Sequence, residues 1–273
     1  GGVKPGEKIT EVKISPGKRI DGNTEYAYVF ETYGYYAPRA IYRLLSNGLR
    51  VKVASDPFFH SSGRKFDRGT IMVPVAGQEK RKDQIESIVN DISTKDGIDV
   101  FAFHTGLDYN GTSLGSNSFL PLKKPSIAMI VGDGISPTEV GEVWHMLDNR
   151  FGIPVTLLPV NVLDKASLNR YSTIILPPTV GTFSVSEGVK EKLKTWTQNG
   201  GVLIGLKNAI NWFNSNGLGR FEIKKDEEKS EPVKPRAYAD IEEFKGAQET
   251  TGAILAAQAD LTHPLLYGYY ENT

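Results

Sequence analysis

The chain has 273 residues, which is longer than a typical single domain, so two compact units are expected. Its 32 basic and 32 acidic residues cancel to zero formal charge, so composition predicts neither a nucleic-acid surface nor attraction to an anionic membrane. Because the sequence contains no cysteine, disulfides, thiolate nucleophiles and cysteine-ligated metal sites are excluded.

No apolar run reaches the ~20 residues that a membrane-spanning helix needs, and the amino terminus lacks the pattern of a signal peptide. The chain begins with glycine, so we expect a processed or excised polypeptide, in which the absence of a targeting segment does not indicate localisation. Membrane insertion is therefore not predicted.

Hydrophobic periodicity predicts a first α/β unit over residues 23–121, after a polar strand or linker at 1–22. Strands are expected at 26–30, 49–54, 70–75 and 98–104. Helices are expected from Pro38 to a stop at Asn47-Gly48, and over residues 82–93. The stretches 56–69 and 106–125 have the composition of loops.

The same succession begins again in a second unit, over residues 122–273. Strands are expected at 126–134, 153–158, 173–177 and 202–206, with a helix over 137–150. A second helix carries an apolar stripe of Val189, Leu193 and Trp196 and stops at Gly200-Gly201. A mixed charge run at 222–236 predicts a solvated loop, and we expect this unit to be completed beyond Thr273.

A sharp strand-to-helix turn is predicted at Gly205-Leu206-Lys207-Asn208-Ala209, at the carboxyl edge of the second sheet. Ligands and nucleophiles occupy this edge in parallel sheets. The segment resembles the class I glutamine amidotransferase-like superfamily, which carries Gly-x-Cys-x-Gly at this elbow. That resemblance places Lys207 at the nucleophile and Ala209 at the last glycine. Since an ammonium group attacks poorly unless its pKa is depressed, we expect Lys207 to line an inert pocket.

Element order also predicts an internal duplication of about 100 residues. Thr70–Pro74 aligns with Thr173–Pro177, and Ala102–Gly106 aligns with Gly205–Ala209. His104 is then the counterpart of Lys207, so both elbows lack a nucleophile.

Two further motifs have structural explanations. Gly132-Asp133-Gly134 follows a strand as a dinucleotide fingerprint would, but Pro137 replaces the third glycine. Ser136, Pro137 and Glu139 instead predict a capping box. No cofactor is predicted.

Glu142 and His145 have the spacing of a helical metal-ligand pair, with Asp148 further along. A facing pair is missing from the sequence, so no metal site is predicted and His145 is expected at the surface. The apolar stripe of this helix is expected to be buried and comprises Val140, Val143, Trp144, Leu147 and Phe151.

His263 lies where amidotransferase-like folds often place their catalytic histidine, so it is a possible remnant. Without a thiol to deprotonate, it is expected to hold a loop by hydrogen bonds. A serine-based triad has no Gly-x-Ser-x-Gly motif to support it, and Ser116 is the nearest candidate.

Four phrases together resemble the region after the peptidase domain in secreted zinc carboxypeptidase-like proteins of Bacteroidetes-type bacteria. They are Ala37–Leu45, Leu114–Asn117, Gly141–Gly152 and Thr262–Leu265. The resemblance implies a secreted or periplasmic accessory region whose partner is the upstream peptidase domain. No histidine here is followed by glutamate at the third position, so the peptidase centre is not expected in this chain.

We therefore expect an α/β protein with tandem flavodoxin-like, amidotransferase-like units, mostly parallel sheets and flanking helices. The first hypothesis is a non-catalytic accessory or interaction region. The alternative is a hydrolase or small-ligand binder that uses the crevice at the carboxyl edge, through Lys207, His104 or His263. A carbohydrate-binding role would rest on exposed aromatic residues, namely Tyr35, Tyr36, Tyr267, Tyr269 and Tyr270.

Overall fold

The computed structural model describes residues 6–8, 10, 14–107, 111–220, 222, 237–248 and 256–269. Two large sheets and a two-stranded hairpin account for its strands. The α/β fold class is confirmed. The division of the chain at residues 121 and 122 stays a prediction, as does the region after residue 222, much of which lies outside the described residues.

The first sheet has six strands in the order β1-β7-β2-β6-β3-β8. Two helices connect them, α1 (Ala37–Ser46) and α2 (Lys82–Asp96). The hairpin strands β4 (Phe58–Phe59) and β5 (Lys65–Phe66) form a separate pair. The six strands of the sheet are β1 (Arg19–Ile20), β2 (Ala27–Phe30), β3 (Lys52–Ala54), β6 (Ile71–Pro74), β7 (Val100–Phe103) and β8 (Phe119–Pro121).

The expected parallel arrangement is wrong for this first sheet. β2 pairs antiparallel with both β6 and β7, and β3 pairs antiparallel with β6 and β8; only the β1–β7 pair is parallel. Each strand-helix-strand unit is split, because a strand from the other unit lies between its two strands. The resulting order of β7, β2, β6 and β3 is that of a ferredoxin-like β-α-β-β-α-β sheet, not of a flavodoxin-like one.

The side chains of β2 point alternately to the two faces of this sheet and pack in the core on each face. Tyr28 and Phe30 pack with α1 and α2, whereas Ala27 and Val29 face the β4–β5 hairpin. All four are fully buried. Burial on both faces explains why the strand is apolar throughout.

A buried carboxylate joins the two helices. The side chain of Asp96, at the end of α2, is completely buried and accepts charge-assisted hydrogen bonds from Arg39 and Arg43 of α1. The helix ends there because Gly97 takes a left-handed conformation at φ 70°. The predicted helix over 82–93 is confirmed and extends three residues further.

The second sheet has four strands, all parallel, in the order β10-β9-β11-β12. This order is compatible with a flavodoxin-like sheet, whose strand order reverses between β9 and β11. Its elements are β9 (Ile127–Val131), α3 (Pro137–Trp144), β10 (Val155–Pro159), β11 (Thr173–Leu176), α4 (Glu187–Gln198), β12 (Val202–Gly205) and α5 (Ala209–Ser215). A further helix, α6, spans Ile241–Gln248.

The predicted stripe on α4 is confirmed. Val189, Leu193 and Trp196 are buried against the sheet, and burial of each contributes roughly 1.5–3 kcal/mol. Ser186 caps the helix, since its hydroxyl accepts a hydrogen bond from the backbone N–H of Val189 at 3.2 Å.

The predicted stripe on the preceding helix is only partly confirmed. Of its residues only Phe151 is buried, and Trp144 is 39% exposed. The helix also changes character after Trp144, because residues His145–Arg150 form a π-helix. The change of helical period rotates the later side chains away from the face that a regular α-helix would present.

The predicted duplication is not seen in the topology. β11 and β12 are neighbours, whereas their aligned counterparts β6 and β7 are separated by β2. The alignment captured the shared local pattern of strand, helix and glycine stop. Such a pattern does not encode which strand pairs with which.

The segment 256–269 lies beside the first sheet. A Cβ added at Gly69 would be 2.6 Å from Cβ of Tyr267, and one added at Gly268 would be 2.9 Å from Oγ1 of Thr32. Both glycines have positive φ, so they allow the two backbones to approach closely. Of the helices in the described part of the chain, none combines the length and apolar composition needed to cross a bilayer.

Candidate functional site at the carboxyl edge of the second sheet

The elbow after β12 has the predicted shape. Lys207 stands between β12 and α5 with φ 49°, in the left-handed region that side chains other than glycine rarely adopt. A conformation of this kind costs roughly 1–3 kcal/mol and is frequent at functional turns. The lysine at its tip is therefore held in the position that a nucleophile would occupy.

The contacts of Lys207 favour a protonated amine, whereas a nucleophile needs an unprotonated one. Its Nζ donates a hydrogen bond to Oε1 of Glu139 at 2.9 Å, and its side chain is 69% exposed. This hydrogen bond raises the pKa of Lys207 above its usual value. A nucleophilic lysine needs a depressed pKa, so the amine remains protonated at neutral pH and has no free electron pair.

Glu139 is held as a carboxylate by two donors. Hydrogen bonds from the Ser136 hydroxyl and from Lys207 lower its pKa to about 2. The predicted capping box is corrected here. Ser136 is the N-cap and Pro137 the first helical residue, as expected, but the Ser136 hydroxyl donates to the Glu139 carboxylate and makes no cap hydrogen bond to the helix backbone.

A segment that we call the strap, residues 177–185, crosses the carboxyl ends of β9 and β11. Thr179 forms an antiparallel bridge with Ile135, and Val180 N–H donates to the Gly134 carbonyl at 3.0 Å. The Asn208 side chain accepts from Thr179 N–H at 2.9 Å and donates to the Thr179 carbonyl at 2.8 Å. These contacts fasten the strap to both β9 and the elbow.

The strap packs against Gly134, in the loop that follows β9. A Cβ added at Gly134 would lie 2.9 Å from both Phe183 Cα and the Thr182 carbonyl oxygen. The Phe183 ring packs edge-on against Trp212, with 5.0 Å between ring centroids. The strap backbone thus lies against the loop after β9, at the edge where doubly wound sheets bind ligands.

His104 is not near this elbow. It follows β7 in the first sheet, where Nε2 lies 3.1 Å from the backbone oxygen of Asp21. The two aligned elbow positions therefore lie on different sheets, each with a partner of its own.

His263 makes the loop-holding contact that the sequence favours. Its Nδ1 accepts a hydrogen bond from Leu265 N–H at 3.2 Å, which caps a short 3-10 helix over Pro264–Leu266. The segment that follows packs at Gly69 of the first sheet. This placement gives His263 a structural task and leaves it no contact role at the elbow.

The pair of Glu142 and His145 spans the change from α-helix to π-helix. Glu142 belongs to α3, whereas His145 and Asp148 belong to the π-helix that follows. Among the described residues, no three His, Asp or Glu side chains converge as a metal ion would require.

The aromatic side chains form contacts among themselves. Tyr35 is 61% exposed and packs edge-on against Tyr36, with 4.9 Å between ring centroids, and the Arg39 guanidinium lies 3.7 Å from the Tyr36 ring centre. Tyr35 also packs against Phe151, with 5.3 Å between ring centroids. Tyr267 is half-buried and Tyr269 exposed, and Tyr270 lies outside the described residues.

Two cavities lie away from the elbow. One of about 460 Å³ runs beside α4 and includes Glu191, Lys192 and Thr195 in its lining. The other, of about 250 Å³, is lined by residues that include Glu31, Tyr33 and Asp99. Neither is lined by Lys207, His104 or His263.

Sequence reasoning missed one hydrogen-bonded group. His60 is buried, with Nδ1 2.9 Å from the Ser62 hydroxyl oxygen and Nε2 3.2 Å from Oδ2 of Asp21. Ser62 N–H also donates to Nδ1 at 3.2 Å, which closes the turn between β4 and β5. The turn residues His60–Gly63 were the available signal, but nothing in the sequence brings Asp21 to them.

In comparisons with protein-family models, curated proteins and solved structures, nothing matches this chain.

Proposed function

We propose that this chain is a non-catalytic accessory or interaction region that keeps an amidotransferase-like elbow without its nucleophile. The observation that carries the proposal is the ion pair between Lys207 and Glu139 at the tip of the elbow. It supplies a protonated amine where acyl transfer needs an electron pair. The strap supports the same interpretation, because it packs against Gly134 and is hydrogen-bonded to Asn208 of the elbow.

The resemblance of the four sequence phrases extends this proposal to the parent protein. In that role the chain would follow a peptidase domain in a secreted or periplasmic zinc carboxypeptidase-like protein, and would support or position that domain. Fold alone does not supply an activity, so the role is assigned from the site and the resemblance together.

The test is an assay of the purified chain with activated esters and with amide substrates such as glutamine. We expect turnover equal to that of buffer, and no change on Lys207→Ala. The proposal is wrong if the chain turns over a substrate and Lys207→Ala abolishes the reaction. Peptidase assays of the parent protein with and without this region then test the accessory role.

A second candidate, ester or amide hydrolysis, is favoured by the placement of Ser62, His60 and Asp21: Nδ1 of His60 lies 2.9 Å from the Ser62 hydroxyl oxygen, and Nε2 lies 3.2 Å from Oδ2 of Asp21 and 3.3 Å from the Ala102 carbonyl oxygen. With its proton on Nε2, His60 would take the proton of the Ser62 hydroxyl on Nδ1, in place of the hydrogen bond from Ser62 N–H, as the hydroxyl oxygen adds to an ester or amide carbonyl carbon. The carbonyl oxygen takes the electron pair, and its return expels the alcohol or amine, which leaves with the proton from His60. Labelling with a fluorophosphonate separates the candidates. Labelling that Ser62→Ala removes and Ser61→Ala retains would favour the hydrolase, whereas an unlabelled chain supports the accessory region.

A further inference from the structure

The strand β12 ends the second sheet and pairs, within the described part of the chain, with β11 alone. Val202 and Leu206 direct their N–H groups toward β11, where they donate to Ser172 and Leu176. Because hydrogen-bonding directions alternate along a strand, Leu203 and Gly205 direct theirs to the opposite side. β12 thus presents an edge with its own donors and acceptors.

The side chains of this edge are apolar and exposed. Val202 is 52% exposed and Ile204 is 40% exposed. Ile204 is level with Ile175, which is buried in the middle of the sheet. The strand sequence Val-Leu-Ile-Gly contains neither a charge nor a proline, the residues that usually protect an edge strand from pairing.

The other three ends of the two large sheets carry such protection. β10 is bracketed by Pro154 and Pro159, and proline cannot donate to a neighbouring strand. β8 ends at Pro121 and is followed by Lys123-Lys124, and β1 begins with Arg19. Among these edges, β12 is the one with an unprotected sequence.

We propose that two copies of this chain associate through β12, as antiparallel strands related by a two-fold axis. Joining β12 to the β10 edge of another copy would build an open polymer, and the β10 prolines oppose it. Joining β12 to β12 closes the assembly at two copies. The zero formal charge of the chain means that copies do not repel each other at long range.

The strand is suited to pairing with itself. In an antiparallel pair the outward residues Leu203 and Gly205 must face outward residues of the partner copy. Ile204 then lies opposite Val202, Ile204 or Leu206, depending on register. Each of these pairings places an apolar side chain against another, and cross-strand apolar pairs stabilise a sheet.

The test is sedimentation velocity of the full chain over a concentration series, comparing wild type with Ile204→Lys. The wild type is expected to dimerise, and Ile204→Lys to raise the dimer dissociation constant at least about tenfold, because it sets like charges across the axis. Leu157→Lys on β10 is the matched control. Leu157 is 46% exposed and occupies the same row of the sheet, so this variant is expected to dimerise as wild type does.

Circular dichroism establishes that both variants fold. A wild-type chain that remains a monomer throughout the series overturns the proposal. So does a dimer that Ile204→Lys leaves intact, or one that Leu157→Lys alone disrupts.

Discussion

Replacing Gly134 with alanine tests whether the strap rests on the carboxyl end of β9. Gly134 has φ 75°, and the added Cβ would lie 2.9 Å from two backbone atoms of the strap, Phe183 Cα and the Thr182 carbonyl oxygen. Backbone atoms cannot rotate away as a flexible side chain does. The strap must therefore shift as a unit, against its hydrogen bonds to Gly134 and Asn208.

Two terms set the magnitude. An alanine in the left-handed region costs about 1–2 kcal/mol, whatever surrounds it. Forcing an extra methyl group into packed structure costs about 1–3 kcal/mol more. Gly134→Ala is thus expected to lower the free energy of unfolding by roughly 2–5 kcal/mol.

Gly152→Ala is the control that isolates the strap contact. Gly152 has a similar φ of 64°, and nothing lies within 4 Å of its added Cβ, so only the conformational term applies. Urea unfolding of both variants gives the two losses, provided that the denaturant slope is unchanged. Equal losses at the two positions would refute the reasoning, because they would leave no steric contribution from the strap.

Two other predictions concern charged groups. In the folded protein the pKa of Glu139 is about 2, below its ordinary value of 4.5. The ionised carboxylate therefore stabilises the fold at pH values above 4.5, and this contribution is lost as the pH falls from 4.5 toward 2. The difference in unfolding free energy between wild type and Glu139→Gln should therefore shrink over that range in urea titrations; a constant difference would contradict the assignment. Asp96→Ala should cost roughly 3 kcal/mol in urea unfolding, at the low end for a buried ion pair because its arginines are a quarter exposed. The control is Asp91→Ala, which removes an exposed ion pair with Lys95 and should cost less than about 0.5 kcal/mol. Equal losses of stability in the two variants would show that the Asp96 ion pairs do not stabilise the packing of the two helices.

Local elements could be predicted from the sequence because their signals are local. The stripe on α4 and the glycine stop of α2 depend on residues within a few turns of each other. The strands β4, β5 and β8 were missed because two or three residues cannot display a period.

Strand order could not be predicted in the same way. The segments β6-α2-β7 and β11-α4-β12 have the same local pattern, yet only the second places its strands side by side. What decides between them is β2, which inserts between β6 and β7 from more than 40 residues earlier in the chain. No short motif records that choice.

In the candidate site, too, the local turn could be predicted and the tertiary contacts could not. The position of Lys207 at an elbow tip follows from a strand that runs directly into a helix. Its partner Glu139 lies 68 residues away, and no local motif predicts the contacts of the strap. The sequence therefore predicts where the turn lies. The protonation state of Lys207 depends instead on its tertiary contact with Glu139.

The central place of β2 in the first sheet also bears on how the protein is made. β2 is complete at residue 30, but its two neighbours end at residues 74 and 103. During synthesis, about seventy further residues must be made before β6 and β7 can pair with both sides of this apolar strand. Although β2 comes early in the chain, it is thus among the last strands of the sheet to have a neighbour on both sides, and a nascent chain of intermediate length exposes its apolar residues.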